Sequence, residues 1–277
     1  MRCIGLETTV FKGLTAILCL FAGLTLHATD YRPWYGPVLE VDLGADCLMQ
    51  AFSHVNTQCG SKKLQEFDTF LDLSASLAVW ESIAAELEVI AAETKQQSFG
   101  MDAIRLTGRY RWFNDIVGDP ISLSTGVTFS TIFPAVRRNI AAFDHGGVAA
   151  EAHASIGKEW SCMQFWTSRI WGVCGVGIAD VGSPWLRANF SWEHNWWNRH
   201  RLEIFTESIW GFGQNKLNPY HFHGYGSVQY QAIDLGFRYF YQFDYGVVVS
   251  GGYGYRVYAQ NSPENVNLIT LKLVYPF

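Results

Sequence analysis

Charge is scarce in this sequence: Asp, Glu, Lys and Arg make up 16% of it, where about 25% is usual for a soluble domain. The net charge of −5 leaves no basic excess, and nucleic-acid-binding proteins normally carry a basic patch. Nucleic acid is therefore not an expected partner. The six cysteines form no paired zinc motif, and no phosphate loop or dinucleotide fingerprint is present. No cofactor or metal is expected. Long apolar runs are missing as well, because Arg, Glu, Asp or Asn interrupts every one beyond the N-terminus.

The N-terminal run is the exception. Arg2 and Lys12 flank a polar opening, and Gly13 to Leu26 is almost entirely apolar. A membrane-spanning helix needs about 20 apolar residues, so this shorter run reads as the core of a secretory signal peptide. Cleavage after Ala28 is expected, giving a signal over 1–28 and a single domain over 29–277. Loss of Arg2, Lys12 and Glu7 with the signal moves the net charge from −5 to −6.

What the chain has instead is aromatic residues, 16% of it, together with 26 glycines. An apolar excess without apolar runs is what alternation produces. In 102–113, Ile104, Leu106, Gly108, Tyr110 and Trp112 share one face, and Arg105, Thr107, Arg109 and Arg111 share the other. Leu123, Val127 and Phe129 alternate in the same way with Ser122, Ser124, Thr128 and Ser130. Over 185–197, Leu186, Ala188, Phe190, Trp192 and Trp196 oppose Arg187, Asn189, Ser191, Glu193 and Asn195. Period two is the mark of strands between two environments. In 201–210, Leu202, Ile204 and Trp210 oppose Arg201, Glu203 and Glu207, and weaker runs at 36–48, 65–79, 81–92, 147–159, 166–179, 227–241, 246–258 and 265–277 bring the total to about twelve. Long connections are expected at 49–64, 93–101, 134–146 and 213–226, and short turns near Trp80, 114–119, 197–200 and 242–245. Trp80, Trp112, Trp160, Trp196 and Trp197 fall beside short turns, as rings suited to a lipid headgroup zone do.

Leu77 to Glu93 is ambiguous, since its Ala, Glu and Leu content also fits an amphipathic helix. The strand reading places Glu86 and Glu88 inside and Ile83, Leu87 and Val89 outside. It is preferred because neighbouring strands would otherwise present open edges, which lipid does not tolerate.

At the C-terminus, Ile269, Leu271, Leu273, Tyr275 and Phe277 alternate to the last residue. That ending resembles the insertion signal of bacterial outer-membrane β-barrels. With the signal peptide and the Arg105-to-Trp112 strand, the whole segment 29–277 resembles this class. The resemblance implies an all-β fold, a closed antiparallel transmembrane barrel of about 12 strands in the outer membrane of a Gram-negative-type bacterium. It also implies outer-membrane lipid as a partner, and recognition by the assembly machinery through Tyr275 and Phe277.

The expected lumen carries Glu40, Asp42, Asp72, Glu86 and Glu88 on the first three strands, and Arg105, Arg109 and Arg111 on the fourth. These charges either set a transverse field that selects solutes or neutralise one another inside a small barrel. His153 and Ser155 share a strand face and could act as base and nucleophile. A His-x-Ser on a barrel strand is similar to outer-membrane phospholipase A and lipid A deacylases, although Ile156 stands where those families place Asn. His221 and His223 in the last long loop offer too few ligands for a metal site. Cys47 and Cys59 bracket the first long loop and could close it as a disulfide; Cys162 and Cys174 read as free thiols on one strand. The leading expectation is a passive pore or envelope-surface protein without enzymatic activity. A lipid-hydrolysing barrel using His153 and Ser155 is the alternative, and a secreted soluble β-protein is a third.

Overall fold

The computed structural model describes residues 31–95, 98–134, 136–162 and 165–277. The expected signal peptide over 1–28 lies outside these residues. Twelve long strands form one antiparallel meander, in order β1 (Val41–Thr57), β2 (Gly60–Trp80), β3 (Ile83–Glu93), β4 (Gly100–Phe113), β5 (Ser122–Ile132) and β6 (Val148–Cys162). They continue as β7 (Phe165–Ala179), β8 (Trp185–Trp196), β9 (His200–Phe212), β10 (Gln229–Gln242) and β11 (Val248–Gln260), then β13 (Asn267–Pro276). The intervening β12 is only Pro263–Glu264 and pairs with β1. Each long strand pairs with its sequence neighbour, and β1 pairs with both β2 and β13. The sheet is thereby closed into a barrel, which leaves no long strand edge unpaired.

The alternation read from the sequence sets the two faces. Along β6, Val148, Ala152, Ala154 and Ile156 are exposed outward, while Glu151, His153 and Ser155 are buried inward. The ambiguous segment is strand, with Glu86 and Glu88 buried and Leu87 exposed. Arg105, Thr107, Arg109 and Arg111 point inward from β4. The Trp residues beside the short turns are all exposed.

Four expectations change. Residues 49–64 are not a loop: β1 and β2 run on for 17 and 21 residues and meet in a two-residue turn at Gln58–Cys59. About 9–11 tilted residues cross the hydrocarbon. These two strands run longer than that, and their backbone ladder continues to the turn where the outward apolar alternation has ended. The same extension removes the Cys47–Cys59 disulfide: one sits mid-strand, the other at the hairpin tip, and neither is bonded to another cysteine. Twelve extended residues at about 3.3 Å each separate them far beyond bonding reach. Cys162 and Cys174 are free, but lie on β6 and β7 of one hairpin rather than on one strand. Finally, the first strand begins at Val41, not at residue 36. Residues 31–36 turn into the barrel instead.

Candidate functional site

A closed barrel encloses its inward charges, and unpaired ions in a low-dielectric interior are costly. The lumen is accordingly built from pairs. Asp234 on β10 stands opposite Arg256 on β11 and binds it with both carboxylate oxygens, at 2.7 and 2.8 Å. Arg238 reaches Glu207 at 2.7 Å and Glu203 at 3.4 Å. Arg187 lies 3.3 Å from Glu151, which also accepts the Trp185 indole N–H at 2.9 Å. Lys272 lies 3.3 Å from Asp46. Of the charges read from the sequence, Glu88 stands directly across the ladder from Arg105. Asp72 and Glu86 are buried on the same wall, and Glu40 and Asp42 line the cavity at its short-turn end.

Arg109 and Arg111 meet a group that the sequence did not reveal. Both guanidinium groups lie over the Tyr35 ring, at 5.0 and 4.9 Å from its centroid. Arg109 also donates to the Arg32 carbonyl at 3.2 Å. Tyr35 and Arg32 belong to the chain that precedes β1 and enters the lumen. Arg32 bonds Glu193 at 2.7 Å and approaches Glu203 at 3.8 Å. The Trp34 indole N–H donates to Asp115 at 2.8 Å, and Trp34 packs with Tyr31, Trp171 and Val173. The signal available in the sequence was a run of aromatic residues, Arg32 and Pro33 that lacks strand alternation.

Tyr31 stands between two cavities. Toward the short turns lies one of ≈ 570 Å³, walled by Glu40, Asp42, Asp46, Glu86 and Lys272 on one side and by Arg201, Glu203, Glu207 and Arg238 on the other. Toward the loops lies one of ≈ 120 Å³, reached by Arg105, Glu151, Arg187 and Arg256. Over the latter, residues 137–147 and 213–228 fold inward. Ile140, Ala142, Leu217, Phe222 and Tyr225 pack there against Phe52 and Val55 of β1 and Phe70 of β2. The Tyr225 hydroxyl donates to the Ile140 carbonyl at 2.6 Å, and the Tyr230 hydroxyl pairs with His145 Nε2 at 2.7 Å. His145 stacks on Trp185 at 3.9 Å. Burial, reinforced by the positive charge of Arg187, lowers its pKa to about 3 and keeps the ring neutral. His221 and His223 remain exposed on this cap, whose anchoring residue is the intervening Phe222. Among the described residues, no group of His, Cys, Asp and Glu is arranged to hold a metal.

His153 and Ser155 both point into the lumen and are buried. Neither ring nitrogen of His153 has a hydrogen-bond partner, nor does the Ser155 hydroxyl, so the base–nucleophile bond is not made. His153 instead packs edge-on against Tyr31, with ring centroids 5.0 Å apart.

No family model and no curated protein sequence matches the chain. Solved structures do. An outer-membrane channel from Pseudomonas putida F1 superposes with a TM-score of 0.67, covering 91% of this chain and all of that one at 11% identity. The fold is that of the bacterial outer-membrane β-barrels. The NanC porin also matches, with a TM-score of 0.54 over 84% of this chain and 98% of its own at 10% identity. At such identities the likeness is one of fold, and the barrel's own side chains carry the functional argument.

Proposed function

We propose that this protein is an outer-membrane channel of porin-like type, exported through a cleaved N-terminal signal and inserted with lipid against its apolar outer face. The observation that carries this reading is the charged lumenal cavity of ≈ 570 Å³ at the short-turn end. A barrel stabilised only by packing would fill that space with apolar side chains. Here it is polar on both walls, as a solute path requires. The neighbouring folds, a channel and a porin, support the same reading.

The cavity's sign suggests a preference. Six carboxylates line it against four cations: Glu40, Asp42, Asp46, Glu86, Glu203 and Glu207, with Arg32, Arg201, Arg238 and Lys272. Walls of low dielectric focus such an imbalance, raising the local concentration of counter-ions. The channel should therefore favour small cations. Planar bilayers holding the purified protein in a salt gradient should show discrete conductance steps and a reversal potential of cation-selective sign. Absence of current under all conditions would remove the reading. The same preparation should release no fatty acid from phospholipid and should resist a serine-directed fluorophosphonate. Hydrolysis lost in both Ser155→Ala and His153→Ala would establish the lipid-hydrolysing alternative instead.

A further inference from the structure

We infer that residues 31–36 are a displaceable gate that closes the lumen from the short-turn end; this rests on the channel reading. The barrel closes without the segment, because β1 completes its ladders through β2 and β13. Among the described residues, the first backbone hydrogen bond between this part of the chain and a barrel strand is that of the Leu39 amide to the Ala78 carbonyl, at 2.8 Å. Before it, the segment is held through side chains. Its departure would break no strand pairing.

The attachment is nonetheless specific. Arg32 is fixed by Glu193 at 2.7 Å, and Trp34 by Asp115 at 2.8 Å. Glu193 has other partners, the Trp171 indole at 2.9 Å and Arg201 at 3.7 Å, so it is not left as an isolated buried charge when Arg32 withdraws. The barrel wall is also shaped to receive the segment. Gly157 faces inward on β6, and a Cβ placed there would lie 2.7 Å from the Trp34 ring and 2.9 Å from Pro33. A side chain as large as leucine would exclude the segment. The chain reverses from the lumen into β1 through Gly36, Pro37, Val38 and Leu39, with Leu39 at φ 68°. A non-glycine residue in the left-handed region marks a strained turn, the place where a hinge would act. Tyr31 at the inner end lines both cavities, together with Asn189, Glu207 and Arg238, so moving the segment widens the passage between them.

The test uses the full chain with Cys47, Cys59, Cys162 and Cys174 replaced. Ser155→Cys then reports access, since Ser155 lies between His153, which touches Tyr31, and Gly157, which touches Trp34. A water-soluble maleimide should react slowly with this reporter. Arg32→Ala removes the anchor and Gly157→Leu fills the seat. Each should speed the reaction at least about tenfold, the change that follows when about 1.4 kcal/mol of anchoring is lost. In a second protein, Pro33→Cys with Gly157→Cys should form a disulfide that traps the segment. Conductance in bilayers should then rise on reduction. Equal maleimide rates in the parent and both variants, or equal current before and after reduction of a formed tether, overturn the gate. Rates that differ while no protein conducts leave the gate standing and remove the channel reading. Current with unchanged rates does the reverse.

Discussion

Asp234 offers a direct test of whether lumenal ion pairs organise this barrel. It binds Arg256 through two hydrogen bonds, at 2.7 and 2.8 Å, and the two side chains are 13% and 4% exposed. Arg256 also lies over the Phe143 ring, 4.9 Å from its centroid, and so braces the inward loop. Asp234→Ala leaves the guanidinium buried without its carboxylate. Breaking a buried pair costs about 3–5 kcal/mol. The partial exposure of Asp234 lets water reach the vacated site, so the expected loss is near the low end, about 3 kcal/mol. With a urea slope of about 3 kcal/mol/M for a chain of this size, the unfolding midpoint should fall by about 1 M. The assay is urea titration of the barrel in detergent, followed by tryptophan fluorescence and by the heat-modifiable shift on gels. The double variant Asp234→Ala/Arg256→Met removes both charges and should recover most of the loss, since a matched apolar pair is often neutral. Bilayer recordings of the single variant should show noisier current as Phe143 loosens. A midpoint unchanged by Asp234→Ala, or a double variant worse than the single one, would refute the reasoning.

Two further outcomes follow from other parts of the chain. Deletion of Phe277 should leave the protein accumulating in the periplasm, assayed by fractionation. Phe277 exposes its ring to the exterior and exchanges backbone hydrogen bonds with Val41 across the closing seam, at 2.8 and 3.1 Å. Equal outer-membrane yield would remove the insertion argument. For His145 the sign follows from its lowered pKa, about 3 against an ordinary 6.5. The fold prefers the neutral ring, so its contribution is complete above 6.5 and is lost as pH falls toward 3. Urea midpoints should therefore drop more between pH 7 and pH 4 in the wild type than in His145→Gln. Asp144 beside it is raised by burial and by Asp102 and runs the opposite way, so the difference between the two proteins isolates His145. Identical slopes would show that the ring does not couple to the fold.

Alternation by itself determined the barrel. The outward face of β4, β6 and β8 is mostly apolar and the inward face polar, and that period-two pattern is local enough to read along the chain. It fixed the inward direction of Arg105, Glu86, Glu88, His153 and Ser155, and the strand identity of the helix-like segment before Glu93. It failed where the alternation ends, over 49–64, which reads as a loop and is the hairpin end of β1 and β2. The partners of the inward charges were not legible. Glu88 facing Arg105 depends only on neighbouring strands in register, and the sequence suggested it. Arg32 with Glu193 joins positions 161 residues apart, and nothing local relates them. Only closure of the sheet, with the chain before β1 turned into the space so enclosed, decides that Arg109 and Arg111 meet Tyr35, and that a glycine at 157 is where Trp34 sits. A lumen exists only once the first and last strands have paired, so the contacts made across it belong to the tertiary structure.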